Sequence, residues 1–374
     1  MDFALPAELV ALREEALAVG RAATAKCEFT EDSWIVGHDR ALAVELAERG
    51  WIGMTWPTEY GGGGRSKLER HIVSEALIET GAPIASCWFA DRQMGPTLLE
   101  YGTEEQKRRW IPDIIAGKTV WCIGMSEPDA GSDVASFSTR AVRDGDEFVV
   151  NGQKIWNSGG ADADWIYLIC RTDPDAPKHK GLSELIVDMH APGVTVTPIR
   201  DMTDSHHFCE IFFDDVRVPA GHLVGELNGS FGQVMRQMQH ERGGIDRLVS
   251  NKRLYDDCLR YADTDDPLVR QRIARIETMF RIGRLLVLRE VMGQAPENFS
   301  AATKTACTEF EQEVAYFCAD VLGPRATITD DPLYNRVVRN VAYAPAYTIM
   351  GGTTEILRNI LGERSLGLPR EPRP

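Results

Sequence analysis

Met125-Ser126-Glu127-Pro128-Asp129-Ala130-Gly131-Ser132-Asp133 follows directly on the apolar run from Val120 to Gly124. A proline, a glycine, two serines and three acids within nine residues suit a loop rather than the interior of a helix or strand. Ser126, Gly131 and Ser132 bring small side chains and bare backbone amides, which a flat ligand can approach closely. The same composition also serves a plain strand-ending turn with capping serines, so the segments on either side decide what the loop belongs to.

On the N-terminal side the chain reads as helices. Leu5 to Gly20 is rich in Ala, Leu and Glu. Asp39 to Arg49 stops at Gly50, and Arg65 to Thr80 carries Ile72, Ala76 and Glu79 at helical spacing. Thr103 and Gln106 form a capping-box pattern that opens a helix running to Ala116 and ending at Gly117. On the C-terminal side the period changes. Phe148-Val149-Val150 leads into Asn151-Gly152, a hairpin-turn signal. Trp165 to Cys170, Leu185 to Val187, Val194 to Ile199 and Glu210 to Phe213 are short β-prone runs. Asp173-Pro174, Ala191-Pro192-Gly193 and Asp214-Asp215 read as the turns between them. About 100 residues of this kind predict one antiparallel barrel or sandwich. Helical period then returns in four long segments, Ser230 to Tyr261, Asp266 to Met292, Ala301 to Leu322 and Leu333 to Met350, which suit an antiparallel bundle. A short helix from Thr354 to Leu361 precedes a proline-rich tail. The expected fold is α+β and multidomain: an N-terminal all-α domain over 1–119, a middle β domain over 120–226 and a C-terminal helical bundle over 227–374.

Composition narrows the function. The 374 residues, 43% hydrophobic and 26% charged, are those of a water-soluble globular chain. No apolar run approaches the roughly 20 residues of a membrane span, and the start Met1-Asp2-Phe3-Ala4 lacks signal-peptide character. The eight cysteines stand singly with no C-x-x-C pair, which points away from zinc and disulfides and towards a reduced, cytoplasmic setting. A net charge of −15 argues against a nucleic-acid partner.

Several residue patterns could carry chemistry. Val234, Met238, Glu241, Ile245 and Leu248 are spaced 4, 3, 4 and 3 apart, so they share one face of a helix. Glu241 therefore interrupts an inward apolar stripe. Burial would raise its pKa and suit it to accept a proton near neutral pH; a buried structural acid paired with Arg242, Arg247 or an arginine of another helix is the other reading of the same pattern. Gly351-Gly352-Thr353-Thr354-Glu355 places two glycines before a helix start with a threonine cap. Trp156-Asn157-Ser158-Gly159-Gly160 ends a strand in small polar residues that could rim a planar ligand. His206-His207 lacks a further metal ligand at suitable spacing and reads as surface or rim. The glycines from Gly61 to Gly64 lack the Lys-Ser/Thr of a phosphate loop.

Taken in order, these features resemble the acyl-CoA dehydrogenase flavoprotein family over almost the whole length. The resemblance rests on M-S-E-P-D-A-G-S-D (125–133), D-G-D-E-F-V-V-N-G-Q-K-I-W-N-S-G-G (144–160), F-F-D-D-V-R-V-P (212–219), G-G-T-T-E-I (351–356) and L-G-L-P-R (366–370). It implies a middle antiparallel β-barrel, a four-helix bundle and FAD held between them. Met125, Ser126, Gly131 and Ser132 match the loop that touches the flavin ring and the acyl thioester. Trp156, Asn157 and Ser158 match the segment meeting the ring from the β side, and Thr353 and Glu355 match positions reaching FAD from the bundle. Family members take an α-proton from an acyl-CoA and pass the β-hydrogen as hydride to flavin N5, giving a trans-2-enoyl-CoA. The electrons go on to an electron-transferring flavoprotein.

Three departures refine the expectation. Many members carry the catalytic glutamate just before the G-T of the G-T-x-E/Q stretch, where this chain has Gly351. A subset uses a glutamate followed by arginine on the first long bundle helix. Glu241-Arg242 matches it, making Glu241 the expected base and Arg242, with Ser132, an expected substrate contact. The R-x-x-F-G segment is missing between Tyr261 and Ile276, and Q-x-x-G-G appears as Asp320-Val321-Leu322-Gly323-Pro324. Both changes fall on FAD contacts made across a subunit interface. They resemble actinobacterial members of steroid or branched-acyl catabolism, some of which pair two different subunits. A homotetramer or a heterotetramer with a homologue is expected. A half-site or non-catalytic partner subunit, or a member diverted to another flavin reaction, are the alternatives.

Overall fold

The structure, a computed structural model, describes residues 5–241, 245–327 and 331–370; of residues 239–241 only the backbone is described. In chain order, helices α1 (Ala7–Thr24), α2 (Ser33–Val36), α3 (Arg40–Glu48), α4 (Lys67–Glu79), α5 (Ala85–Phe89), α6 (Gly95–Tyr101) and α7 (Glu104–Ile115) come first. Strands β1 (Trp121–Gly124), β2 (Arg140–Asp144), β3 (Glu147–Ser158), β4 (Trp165–Arg171), β5 (Leu182–Asp188), β6 (Val194–Ile199), β7 (Phe208–Pro219) and β8 (Leu223–Val224) follow. Helices α8 (Phe231–Glu241), α9 (Ile245–Val249), α10 (Lys252–Cys258), α11 (Pro267–Val291), α12 (Phe299–Leu322), α13 (Pro332–Tyr347) and α14 (Thr354–Ile360) complete the chain. Packing divides it into two compact units. A sheet unit takes Ile35–Arg65 and Pro83–Glu241. A bundle unit takes the described residues up to Trp34, Ser66–Ala82 and those after Glu241.

The sheet unit is built on eight strands in the order β6-β7-β3-β2-β4-β5-β8, with β1 laid parallel on β4. Most pairs are antiparallel, and β6 and β8 end the path, so the sheet is open rather than closed on itself. Its inward positions form one core, including Phe148, Val150, Ile166, Leu168, Leu185, Val187, Ile211 and Val218. This alternation of buried and open positions in β3 and β7 is what a sheet with one buried face requires. Helix α7 starts on the expected capping box: Gln106 N–H donates to Thr103 Oγ1 at 3.2 Å, and Thr103 N–H to Gln106 Oε1 at 2.9 Å. The Gln106 amide then donates to the carbonyls of Gly221 and Leu223 at 2.8 and 2.7 Å, tying α7 to the lead-in of β8.

In the bundle unit α9–α13 pack with α1 and α4. Gly20 faces Thr80 so closely that a Cβ there would stand 2.0 Å from its Oγ1. Arg284 of α11 binds Glu75 of α4 at 2.6 Å, and Arg13 of α1 binds Glu79 at 2.8 Å. The core carries Phe280, Phe310, Val314, Phe317 and Tyr255, all nearly inaccessible. It also carries buried polar groups: Tyr347 Oη donates to Asp32 at 3.0 Å, and Ser250 Oγ donates to Glu311.

Four expectations from sequence differ here. Asn151-Gly152 is not a hairpin end: β3 runs straight through it, and the turn between β2 and β3 lies at Gly145, φ 62°. Gly152 sits at φ 144° in a β-bulge, and a Cβ on it would stand 2.7 Å from the Thr139 backbone. Asp214-Asp215 likewise lies inside β7. Asp215, at φ 49°, exchanges two 3.0 Å hydrogen bonds with the Asn151 side chain opposite. Paired left-handed residues thus absorb one bulge in two strands, and the same residue types signal turns when read one strand at a time. The long helix expected over 230–261 is interrupted at Ser250–Asn251, between α9 and α10, and ends in a 3₁₀ turn at Leu259–Tyr261; residues 242–244, between α8 and α9, lie outside those described. Finally, His207 is buried, with Nδ1 3.4 Å from Asp201 Oδ2.

Candidate functional site

In the sheet unit the loop after β1 and the last turn of β3 are fastened together. Ile155 N–H donates to Ser126 O at 2.9 Å, and Asn157 Nδ2 to Ile123 O at 2.7 Å. Lys154, wholly buried, donates to Met125 O at 2.9 Å and to Glu127 Oε1 at 2.8 Å. The other Glu127 oxygen accepts from Ser138 N and Oγ, both at 2.7 Å. Burial raises the Glu127 carboxyl, but the Lys154 ammonium and the Ser138 donors more than offset it, so its pKa falls to about 2. Burial likewise pushes the Lys154 pKa down, with Glu127 opposing. The pair is a fully satisfied buried clamp that holds the loop's main chain. Neither residue stood out in sequence, because an isolated Lys or Glu in a polar motif reads as surface.

What the clamp presents is a set of small, open positions beside an aromatic. Met125 and Ser126 are half-buried, while Gly131 and Ser132 are exposed. A Cβ added at Gly131 would meet nothing within 4 Å, so its own chain does not require glycine there. Trp156 stands at φ 62°, a left-handed conformation that strains a bulky residue. It lies in the irregular stretch where the β3–β7 register shifts between Lys154 and Asn157, and its ring is 55% exposed, edge-on to Phe208 at 5.7 Å. The irregular β3–β7 pairing thus holds a tryptophan outward in a strained backbone conformation. Asn157 is buried, so it braces β1 from within, and Ser158 beside it is half-buried.

Beneath the loop lies a second apolar cluster. Ala130, Val134, Phe137, Ile169, Leu182 and Val234 form it, and Met125, Phe231, Met235 and Met238 pack on it. Helix α8 is therefore docked under the loop by Val234 and Met238, the first two members of the stripe read from sequence. Glu241 closes α8 three residues after Met238. Its side chain and Arg242 lie outside the described residues.

In the bundle unit, Gly351 and Gly352 adopt φ 67° and 91°, conformations that favour glycine. Lys304, fully buried on α12, donates to Tyr347 O at 3.0 Å and to Gly352 O at 2.7 Å. Thr353 caps α14, its Oγ1 accepting from Ile356 N at 3.2 Å. Glu355 is exposed in the first turn, and its carboxyl pKa is lowered by its own backbone N–H and by the Thr353 and Thr354 hydroxyls. Among the described residues no group of three His, Cys, Asp or Glu could hold a metal.

Comparison with known proteins gives this arrangement its class. The family models "Acyl-CoA dehydrogenase, N-terminal domain", "middle domain" and "C-terminal domain" match residues 8–118, 122–216 and 228–366. The chain belongs to the acyl-CoA dehydrogenase family and is an acyl-CoA dehydrogenase-type oxidoreductase. Among its relatives, it is 36% identical over 342 residues to the acyl-CoA dehydrogenase IpdE1 of Mycobacterium tuberculosis, covering 89% of this chain and 88% of that one. It superposes on a structure described as a Tcur3481-Tcur3483 steroid acyl-CoA dehydrogenase with a TM-score of 0.88, at 35% identity over 99% of this chain and all of that one. It also superposes on the ChsE4-ChsE5 complex from Mycobacterium tuberculosis with a TM-score of 0.89, at 32% identity over the full length of both chains.

Proposed function

We propose that this chain carries out the FAD-dependent α,β-dehydrogenation of an acyl-CoA thioester to a trans-2-enoyl-CoA, with Glu241 taking the α-proton. The supporting observation is the docking of α8 through Val234 and Met238 onto the cluster that also seats Met125. That contact fixes the helix bearing Glu241 against the very loop whose Ser126, Gly131 and Ser132 are the proposed flavin and thioester contacts. Open space at Gly131 and the strained, exposed Trp156 fit a planar ring system. Asn157 and Ser158 support that face, while Thr353, Glu355 and Arg242 are assigned by resemblance. Bound FAD would supply the acceptor for the β-hydride. The chain's own part is to orient the thioester, keep water from the reacting carbons and receive the proton on a carboxylate near neutral pH. Two of its relatives bear names of steroid acyl-CoA dehydrogenation or of a two-component complex. We therefore infer a bulky or ring-bearing acyl group, assembly with a homologous subunit, and an electron-transferring flavoprotein as electron acceptor.

Purified protein should be yellow and should bleach anaerobically with a matching acyl-CoA. Glu241→Gln should keep the flavin absorbance and lose the bleaching; turnover retained in that variant would remove Glu241 from its role. A second reading is a half-site subunit. It is favoured by Asp320, which stands where the family's interface motif begins and is held instead by Arg272 at 2.8 Å. It predicts little flavin when the chain is expressed alone and recovery on coexpression with a homologue.

A further inference from the structure

Helix α8 buries polar groups as well as apolar ones. Ser230, Gln233 and Gln237 are all buried, Gln237 to 1% exposure. Gln233 and Gln237 are one turn apart and so share a face. The Gln233 amide donates to Glu184 Oε2 at 2.6 Å, and Tyr167 Oη donates to the same oxygen at 2.9 Å. Glu184 Oε1 has no hydrogen-bond partner among the described residues, and neither end of the Gln237 amide has one. Helix α8 packs against the π-helical turn Ala90–Met94, where Gln93, 4% exposed, carries a buried carbonyl oxygen equally without partner.

Such groups are expensive. A buried donor or acceptor left without a partner loses its hydration and gains nothing in return, and native chains keep few of them. Here four such atoms sit on one helix face, the strand beneath it and the neighbouring π turn, a distortion that recurs at functional sites. All of them belong to the sheet unit, on the helix that also docks the loop at 125–133. We propose that Gln237, with Gln93 and Glu184, forms a recognition site for an uncharged oxygen function, a hydroxyl or ketone, carried on the acyl group of the substrate. The proposal rests on the acyl-CoA reading above and adds to it the chemistry of the acyl group. A hydroxyl matches the set: it can accept from Gln237 Nε2 and donate to a free carbonyl or carboxyl oxygen. A carboxylate does not match it, because Glu184 would repel it once ionised. Burial raises the Glu184 carboxyl to about 7, with the Gln233 and Tyr167 donors opposing.

The test uses the FAD-loaded protein, with its homologous subunit if coexpression is needed. Two ring-bearing CoA thioesters are compared that differ only by a hydroxyl at the end of the acyl group remote from sulfur. Dissociation constants are read from the perturbed flavin spectrum, and kcat/KM separately. The wild type should favour the hydroxylated thioester by roughly 10-fold or more. In Gln237→Leu and in Gln237→Met that ratio should fall to about 1, with no loss of melting temperature, since an unsatisfied amide has been removed. A wild-type ratio near 1 overturns the proposal. So does a variant that keeps the ratio and melts lower, because Gln237 would then be a structural group. Failure of every acyl-CoA to perturb the flavin would instead sink the acyl-CoA reading itself.

Discussion

Glu127 shows what a single residue contributes to this site. It is a carboxylate inside the protein that is tolerable only because Lys154 and the Ser138 donors meet it. Replacing it with Gln should leave the Lys154 charge without its counterion and cost about 3–5 kcal/mol, read as a lowered urea midpoint. The pH dependence has a definite sign. The folded pKa is depressed to about 2 from an ordinary 4.5, so the wild-type advantage over Glu127→Gln is present above the ordinary value and lost as pH falls towards 2. Glu184 behaves oppositely. Its folded pKa is raised to about 7, so between about pH 4.5 and 7 the folded chain keeps a proton that the unfolded chain has released. Stability should decline across that interval as pH rises, and Glu184→Gln should flatten the decline. Trp156 is strained by roughly 1–3 kcal/mol at its positive φ, an amount comparable to its contact with Phe208 and its half-buried surface. Trp156→Gly should therefore change the unfolding free energy by less than about 1 kcal/mol while markedly weakening flavin binding, measured by ultrafiltration.

At the scale of elements, the bulges shared by β3 and β7 decide where the site's side chains emerge. One bulge lies at Gly152 and Asp215, and a second irregularity between Lys154 and Asn157 turns Trp156 outward. Gly152→Ala would place a methyl 2.7 Å from the Thr139 main chain at a φ that disfavours alanine. A loss of about 1–3 kcal/mol is expected, together with a shifted tryptophan fluorescence as the β3 register relaxes. The sequence patterns failed here for an identifiable reason. Asn-Gly and Asp-Asp are turn signals because they tolerate left-handed conformations, and a bulge asks for the same tolerance. The capping box at Thr103 and the threonine cap ahead of α14 were legible, because a cap is satisfied within its own few residues.

At the scale of the whole molecule, the helical surface carries apolar side chains that a lone chain leaves in water. Leu268 is 73% exposed, Ile349 64% and Leu366 72%. Single exposed apolar side chains are ordinary on a protein surface, so they do not by themselves mark an interface; the assembly proposed above should show in sedimentation as a species larger than one chain. Helix periodicity and strand-prone runs sufficed for the order of domains, helices, then a β middle, then a bundle, and the resemblance of the motifs, with the Met125–Asp133 loop at the first junction, for the family. These are repeating or local signals, and a linear chain displays them directly. The site's supports were not legible. Lys154 reaching Met125 O, Lys304 reaching Gly352 O and Gln233 reaching Glu184 each join residues 29, 48 and 49 positions apart. Nothing in a sequence marks which lysine will be buried or which amide will go unanswered. Burial is decided by what the folded chain brings against a side chain, and the chemistry of a polar group follows from that company.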